Sequence, residues 1–179
     1  MANLHRLPTW DPKGGLRCVV ESPRGSKAKF KYEADLEIFT LTRSLILGVT
    51  YPYDWGFVPS TLAPDGDPLD VMMFHDTPTF SGVVMSCDPI GALLVTQRKS
   101  DGSGRQPNHR LFAVPKGSER EEESQDAREL PRRVRQELEA FFIAAGALAD
   151  KELEIVDWVG PTEARELVEE GERLFKSSR

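Results

Sequence analysis

Residues 61–74 read TLAPDGDPLDVMMF. Asp65, Asp67 and Asp70 fall within six residues, and an apolar run follows at once. Aspartate is a poor strand former, and three like charges this close repel one another. One explanation is a turn, because Asp-Gly and Asp-Pro are strong turn formers and an aspartate side chain accepts backbone N–H bonds. The other is a cation. Asp65 and Asp67 are two apart, so in an extended segment they share one side. Asp70 has the wrong parity, and Pro68 supplies the bend that lets all three converge. LDVMMF must enter a core, which desolvates Asp70. A desolvated carboxylate beside two others takes up a proton unless a cation is present. Oxygen donors without histidine or cysteine select a hard ion, Mg²⁺ or Mn²⁺ in its place. An EF-hand register from Asp65 fails: Pro68 and Leu69 stand where that loop turns, and Asp76 occupies its twelfth position. A glycosyltransferase-type DxD needs a longer nucleotide-sugar domain than this chain supplies.

Outward from this segment, the chain reads mostly as strands. Short β-branched and aromatic runs at 16–22, 28–33, 36–43, 68–74, 82–87, 90–99 and 109–116 are separated by Gly, Pro and Ser. That spacing suggests a small barrel or sandwich. Residues 100–108 read as a polar loop, and the charge run at 116–129 as a solvated loop or exposed helical turn. The period then changes. Val134, Leu138, Phe141, Phe142 and Ala145 form one helical face, with Pro131 in the first turn and Gly146 just past the last. Arg132, Arg133 and Arg135 fall mostly off that face and read as solvated. Residues 152–160 read as a strand. Residues 161–176 read as a second amphipathic helix with Ala164, Leu167, Val168, Gly171, Leu174 and Phe175 on one side.

The 179 residues suit one domain spanning 1–179, with 39% hydrophobic and 29% charged residues as in ordinary globular chains. No apolar run approaches the ~20 residues that span a bilayer. The first fifteen residues lack a secretory signal's apolar core, so a cytoplasmic location is expected. A net charge of −6 argues against nonspecific binding to nucleic acid or an anionic membrane. It leaves room for a small anionic ligand. Cys18 and Cys87 have no CxxC partner and read as buried free thiols.

DGDPLDV resembles the signature of the soluble family I inorganic pyrophosphatases, Asp-x-Asp-Pro-hydrophobic-Asp-hydrophobic. Upstream, VVESPRGSKAKFKYE matches the family's Glu-x-Pro and Lys-Tyr-Glu through Glu21, Lys31 and Glu33. LTRSLILGVTYPYDWGFVPS supplies Arg43, Tyr51, Trp55 and Gly56. DPIGALLV, LFAVP and the FF followed by a Trp-containing strand continue the match, over about residues 17–160. The resemblance implies an α+β, mainly β fold: a small five-stranded OB-like barrel with additional strands and two helices packed outside. It implies Mg²⁺-dependent hydrolysis of pyrophosphate to two phosphates and, as in bacterial members, a homo-hexamer. By the same resemblance Asp65 and Asp70 hold metal, Asp67 is the general base, and Glu21 and Glu33 orient further metals or their waters. Lys31 and Arg43 hold phosphate oxygens, and the Tyr51 hydroxyl orients an aspartate or a phosphate.

The chain departs from the family on one side. Gln97 and Asn108 stand where two aspartates are expected, and Arg110 where a lysine is expected. Ala145-Gly146 replaces a phosphate-gripping Tyr-Lys pair, and Trp55 replaces a phosphate-binding tyrosine. Asn108 still offers a metal a neutral oxygen, and Arg110 keeps a positive charge for substrate. Indole donates a hydrogen bond but cannot accept one. Asp101, in SDGSG, reads as a turn. Fewer tight metals, a higher magnesium requirement and slower turnover are expected. The alternatives are a catalytically impaired relative that binds a phosphate ligand or a protein partner, and a hydrolase of another, related small phosphoanhydride. A nucleic-acid-binding OB fold is disfavoured by the acids lining its binding face.

Overall fold

Runs of β-branched and aromatic residues form the strands, and the chain closes them into a ring. The computed structural model describes residues 3–149 and 151–178. Strand β1 (Leu16–Ser22) precedes a separate antiparallel hairpin, β2 (Ala28–Glu33) and β3 (Ile38–Ser44). There follow β4 (Asp54–Phe57), β5 (Asp70–Met73), the long β6 (Val84–Arg98), β7 (Arg105–Pro107) and β8 (Arg110–Pro115). Helix α1 (Arg132–Ala147), β9 (Glu154–Val159) and helix α2 (Pro161–Ser177) complete the chain. β1 pairs with β4, β4 with β5, β5 with β8, β8 with β6, and β6 again with β1. This is the expected five-stranded ring, with β7 and β9 added along β6. The β5–β8 pair alone in the ring is parallel.

Both faces of the ring strands are covered. In β5, Val71 and Met73 join a core containing Ala164 and Val168 of α2. Met72 and the following Phe74 join a second core containing Leu138, Phe141 and Phe142 of α1. The period of two divides one apolar run between two helices. Cys18 and Cys87 are buried free thiols, as expected. No described helix is long and apolar enough to cross a membrane.

Several sequence expectations need correction. The segments 82–87 and 90–99 are one strand, β6, with a register shift between Pro89 and Gly91. Gly91 has φ 152°, and a Cβ there would lie 2.4 Å from the Val159 carbonyl oxygen, so only glycine fits this close approach of β9. Strand β4 was not among the expected strands. Tertiary pairing with β1 and β5 forms it. The polar loop at 100–108 contains β7, which folds back onto the end of β6. Pro131 caps α1 from outside, and Gly146 lies within its last turn, with Leu148 at the C-cap in an ordinary conformation (φ −79°). Arg135 is half-buried, and Leu174 on α2 is exposed.

Asp54 fixes the entry into β4. Its fully buried carboxylate accepts from the Arg24 backbone N–H at 2.7 Å and the Thr79 hydroxyl, and meets His75 Nε2 at 2.8 Å. Burial acts to raise its pKa, but these hydrogen bonds prevail and hold it below the ordinary aspartate value. A depressed folded-state pKa contributes stability above about pH 4 that is lost as pH falls through the folded value. Asp54→Ala is expected to cost about 3 kcal/mol in urea unfolding at pH 7. The variant's stability is also expected to fall less steeply than the parent's between pH 4 and pH 3.

Candidate functional site

The aspartate segment folds as a turn. Ala63 N–H donates to the Asp67 carbonyl at 2.7 Å, Gly66 N–H donates to Ala63 at 3.0 Å, and Gly66 takes φ 88°. Thr61 Oγ1 accepts from Leu69 N–H and donates to the Val58 carbonyl, anchoring the loop against the ring. The bend does not gather the three carboxylates on one point. Each is held by a different N–H donor. Asp65 Oδ2 accepts from Asn108 Nδ2 at 2.7 Å, and Asp67 pairs with Lys31 Nζ at 2.9 Å. Asp70, at the start of β5, pairs with Arg110 directly across the parallel register of β8. Among the described residues no three His, Cys, Asp or Glu side chains form a cation cage. Asp65 and Asp67 instead share a wide cleft of about 1280 Å³, counted to its open mouth, with Gln97, Asp101 and Lys151. Asp67 and Asp70 share a smaller one with Glu21, Lys29 and Lys31.

The two amides act as donors toward Asp65. Gln97 Nε2 approaches the same Asp65 oxygen at 3.5 Å, and its own Oε1 is buried without a partner. Asn108 Oδ1 accepts from Arg110 at 2.8 Å, so Asn108 clamps Asp65 to Arg110 and its oxygen is already engaged. Asp101 accepts from Ser103 N–H at 2.8 Å, the expected turn, and also lines the wide cleft.

Arg110 is the pivot. Its side chain is 7% exposed and lies over the Trp55 ring (5.4 Å) and the Phe142 ring (6.0 Å). Burial pushes its pKa down to about 10, against the pull of Asp65 and Tyr51. Among the described residues its Nε has no acceptor, and neither does the buried Trp55 Nε1.

Glu21 is buried on β1 and accepts from Tyr32 N–H at 2.8 Å. Burial raises its pKa to about 7, outweighing that hydrogen bond and the charges of Lys29 and Lys31. Burial lowers the pKa of Lys31, but the Asp67 hydrogen bond and charge leave it raised overall. Glu33 accepts from Thr40 within its own hairpin at 3.3 Å and lines neither of these clefts.

On the far side of the Asp70–Arg110 pair lies a narrower cleft of about 430 Å³. Lys29, Arg43, Tyr51, Trp55, Arg110 and Lys151 face it, beside Ala145 and Gly146 of α1. Arg43 donates to the Ala145 carbonyl at 2.8 Å, tying β3 to the C-terminal end of α1, where a cation is favoured. Burial lifts the Tyr51 pKa to about 12, although a hydrogen bond with Ser22 opposes it. Sequence reading missed two residues here. Lys29 shares a strand side with Lys31, so period two alone pointed to it. Lys151 lies between α1 and β9, and no local pattern marked it.

The three aspartates and the cations Lys29, Lys31, Arg43 and Arg110 therefore line adjoining clefts on a five-stranded ring. The family model for inorganic pyrophosphatase matches residues 18–176. The chain belongs to the inorganic pyrophosphatase family. An inorganic pyrophosphatase of Synechocystis sp. is 36% identical over 174 residues, covering 97% of this chain and 99% of its own length. That of Thermus thermophilus is 36% identical over 171 residues, covering 95% and 94%. The crystal structure of the Thermus thermophilus inorganic pyrophosphatase superposes with a TM-score of 0.87 at 34% identity, covering 98% of this chain and 99% of that one.

In this chain each of the three aspartates is paired with a different N–H donor. Arg110→Ala leaves Asp70 and Asn108 Oδ1 without a partner. It is expected to destabilise the fold by about 3 kcal/mol in urea unfolding. Arg110→Met keeps apolar bulk against Trp55 and Phe142 and is expected to lose about half as much.

Proposed function

We propose that the chain hydrolyses inorganic pyrophosphate to two phosphates with Mg²⁺, or Mn²⁺ in its place. The observation that carries this reading is the juxtaposition of Asp65, Asp67 and Asp70 with Lys31, Arg43 and Arg110 in a chain of this family. A compact polyanion needs both sets. The donor chemistry of the acid wall fits a hard cation: every donor is oxygen, and the Glu21 carboxyl is held near 7 by burial that its lysine neighbours do not offset. Asp65 and Asp70 would hold the ion, Asp70 sharing its charge with Arg110, while Glu21 and Glu33 would orient further ions or their waters. When bound, Mg²⁺ neutralises phosphate oxygens and lowers the pKa of a water.

The remaining steps belong to side chains. Asp67 is the most exposed of the three aspartates and takes the water proton at Oδ1 or Oδ2. Lys31, 2.9 Å from that carboxylate, holds it in position between turnovers and contacts a phosphate oxygen when substrate is bound. Arg43 offers a planar fork and Lys31 a point charge. Arg110, stacked on Trp55, holds its charge at the junction of the two phosphoryl positions. Tyr51 stays protonated well above neutral pH and serves as a hydroxyl donor. The relatives, named inorganic pyrophosphatases along nearly the whole chain, favour hydrolysis over a binding-only role. With amides at 97 and 108, the acid wall carries less charge, so a higher Mg²⁺ requirement is expected.

The test is phosphate release from pyrophosphate across a Mg²⁺ titration. Release that saturates with Mg²⁺ and drops at least about 100-fold in Asp67→Asn is expected. Release no faster than that variant at every Mg²⁺ concentration would remove the hydrolase reading. A panel of nucleoside di- and triphosphates under the same conditions should give slower release than pyrophosphate. The family resemblance also points to a homo-hexamer, and sedimentation of the purified protein should give six chains.

A further inference from the structure

A further cavity, of about 690 Å³ counted to its open mouth, lies between residues 120–126, after β8, and the start of α1. It shares no lining residue with the three clefts described above. Its size is within the range of small-molecule sites. Two rings face it. Phe74 is buried against Phe112, with 5.3 Å between ring centroids, and Tyr53 is tilted onto Phe74 at 4.5 Å. Leu130, Pro131 and Val134 extend this apolar lining.

The charged groups at the cavity are unevenly committed. Arg120 lies over the Tyr53 ring at 5.4 Å and pairs with Asp76 at 2.8 Å, so its charge is already met. Asp126 accepts from the Arg128 side chain at 2.6 Å and from the Arg128 backbone N–H at 2.9 Å. Glu123 and Glu129 are left over. Neither has an ion pair or a side-chain hydrogen bond among the described residues. Surface carboxylates alone read as a solvated face. The hydroxyl beside them points further. Ser124 is 8% exposed and lines the cavity, yet its Oγ makes no hydrogen bond among the described residues. Its backbone N–H donates to the Arg120 carbonyl at 3.1 Å, which fixes the residue in place. A hydroxyl this far buried calls for a partner.

The lining narrows the choice of partner. An anion would meet two uncompensated carboxylates. A water would satisfy the hydroxyl but gain nothing from the apolar walls. A metal ion needs a cage of oxygen ligands, and the described residues form none here. What fits is an apolar body carrying a cationic N–H donor. We propose that this cavity binds a small organic amine. Its body packs against Tyr53, Phe74 and Val134, and its ammonium group donates to Ser124 Oγ and faces Glu123 and Glu129. The site stands apart from the aspartate clefts, so it does not depend on the pyrophosphatase reading.

The test uses the full-length protein, Ser124→Ala, and a double variant carrying Glu123→Gln and Glu129→Gln. Calorimetry with phenethylamine, phenethyl alcohol and phenylacetate separates the charge from the apolar body. The amine is expected to bind at least about tenfold tighter than the alcohol, and phenylacetate to show no saturable binding. The double variant should lose about tenfold in amine affinity and Ser124→Ala about threefold. Affinity for the alcohol should be the same in the parent and the double variant. Crystals soaked with a ring-brominated phenethylamine locate it, with an anomalous bromine peak expected beside Phe74 and Val134. No saturable amine binding by the parent, equal affinity for amine and alcohol, an unchanged amine affinity in the double variant, or bromine found only elsewhere would overturn the proposal.

Discussion

The Asp70–Arg110 pair joins the two halves of the site. It spans the parallel β5–β8 register, and Arg110 is packed over Trp55 from β4 and Phe142 from α1. A guanidinium removed from water this completely needs its partners, and it has them in Asp70 and Asn108 Oδ1. Through Asn108 the same network reaches Asp65. The ring strands, the helix α1 and the aspartate turn are thus locked to one buried charge. Without it the acid wall and the basic cleft would have no fixed separation.

Around that pair the clefts differ in charge. The wide cleft at the β6–β7 end mixes Asp65, Asp67 and Asp101 with Arg98, Lys99 and Lys151, whereas the narrow cleft beside α1 sets Lys29, Arg43, Arg110 and Lys151 around Asp70, the one carboxylate among its described lining residues. Each arrangement costs stability in isolation: Glu21 is buried with its pKa raised, and Lys29 faces Arg43 across a strand pair. Sites that bind strongly charged ligands store such repulsion, and the ligand releases it. Gln97 and Asn108 add no charge at Asp65, and both direct N–H groups at its carboxylate.

Much of this was legible in the residues. The alternation and turn chemistry of 16–22, 28–33 and 109–116 mark strands because both local preference and packing agree there. The DGD turn, the helix faces and the buried thiols follow in the same way. β4 was not legible, since Asp54-Trp55-Gly56-Phe57 is a strand only because β1 and β5 flank it. Nor was the single run of β6, whose Pro89 and Gly91 read as a break but form a bulge. In the site, spacing gave the three aspartates, but a shared focus for them required knowing that each has its own donor. Lys29 lay within reach of period-two reasoning. Lys151 did not, because it enters the site from a connection whose position is set only by the packing of α1 and β9. The loss of a side chain at Gly146 suggested an open pocket, and the fold instead places Lys151 across from it.

The proposed function puts metal at the aspartates and phosphate at the facing cations, and this can be tested directly. Crystals soaked with Mn²⁺ and inorganic phosphate, measured at the manganese absorption edge, locate both. The expected result is an anomalous peak at the Asp65–Asp67–Asp70 wall and tetrahedral density beside Arg43 and Arg110 in the narrow cleft. Manganese bound elsewhere, or phosphate found away from the narrow cleft, would contradict the account.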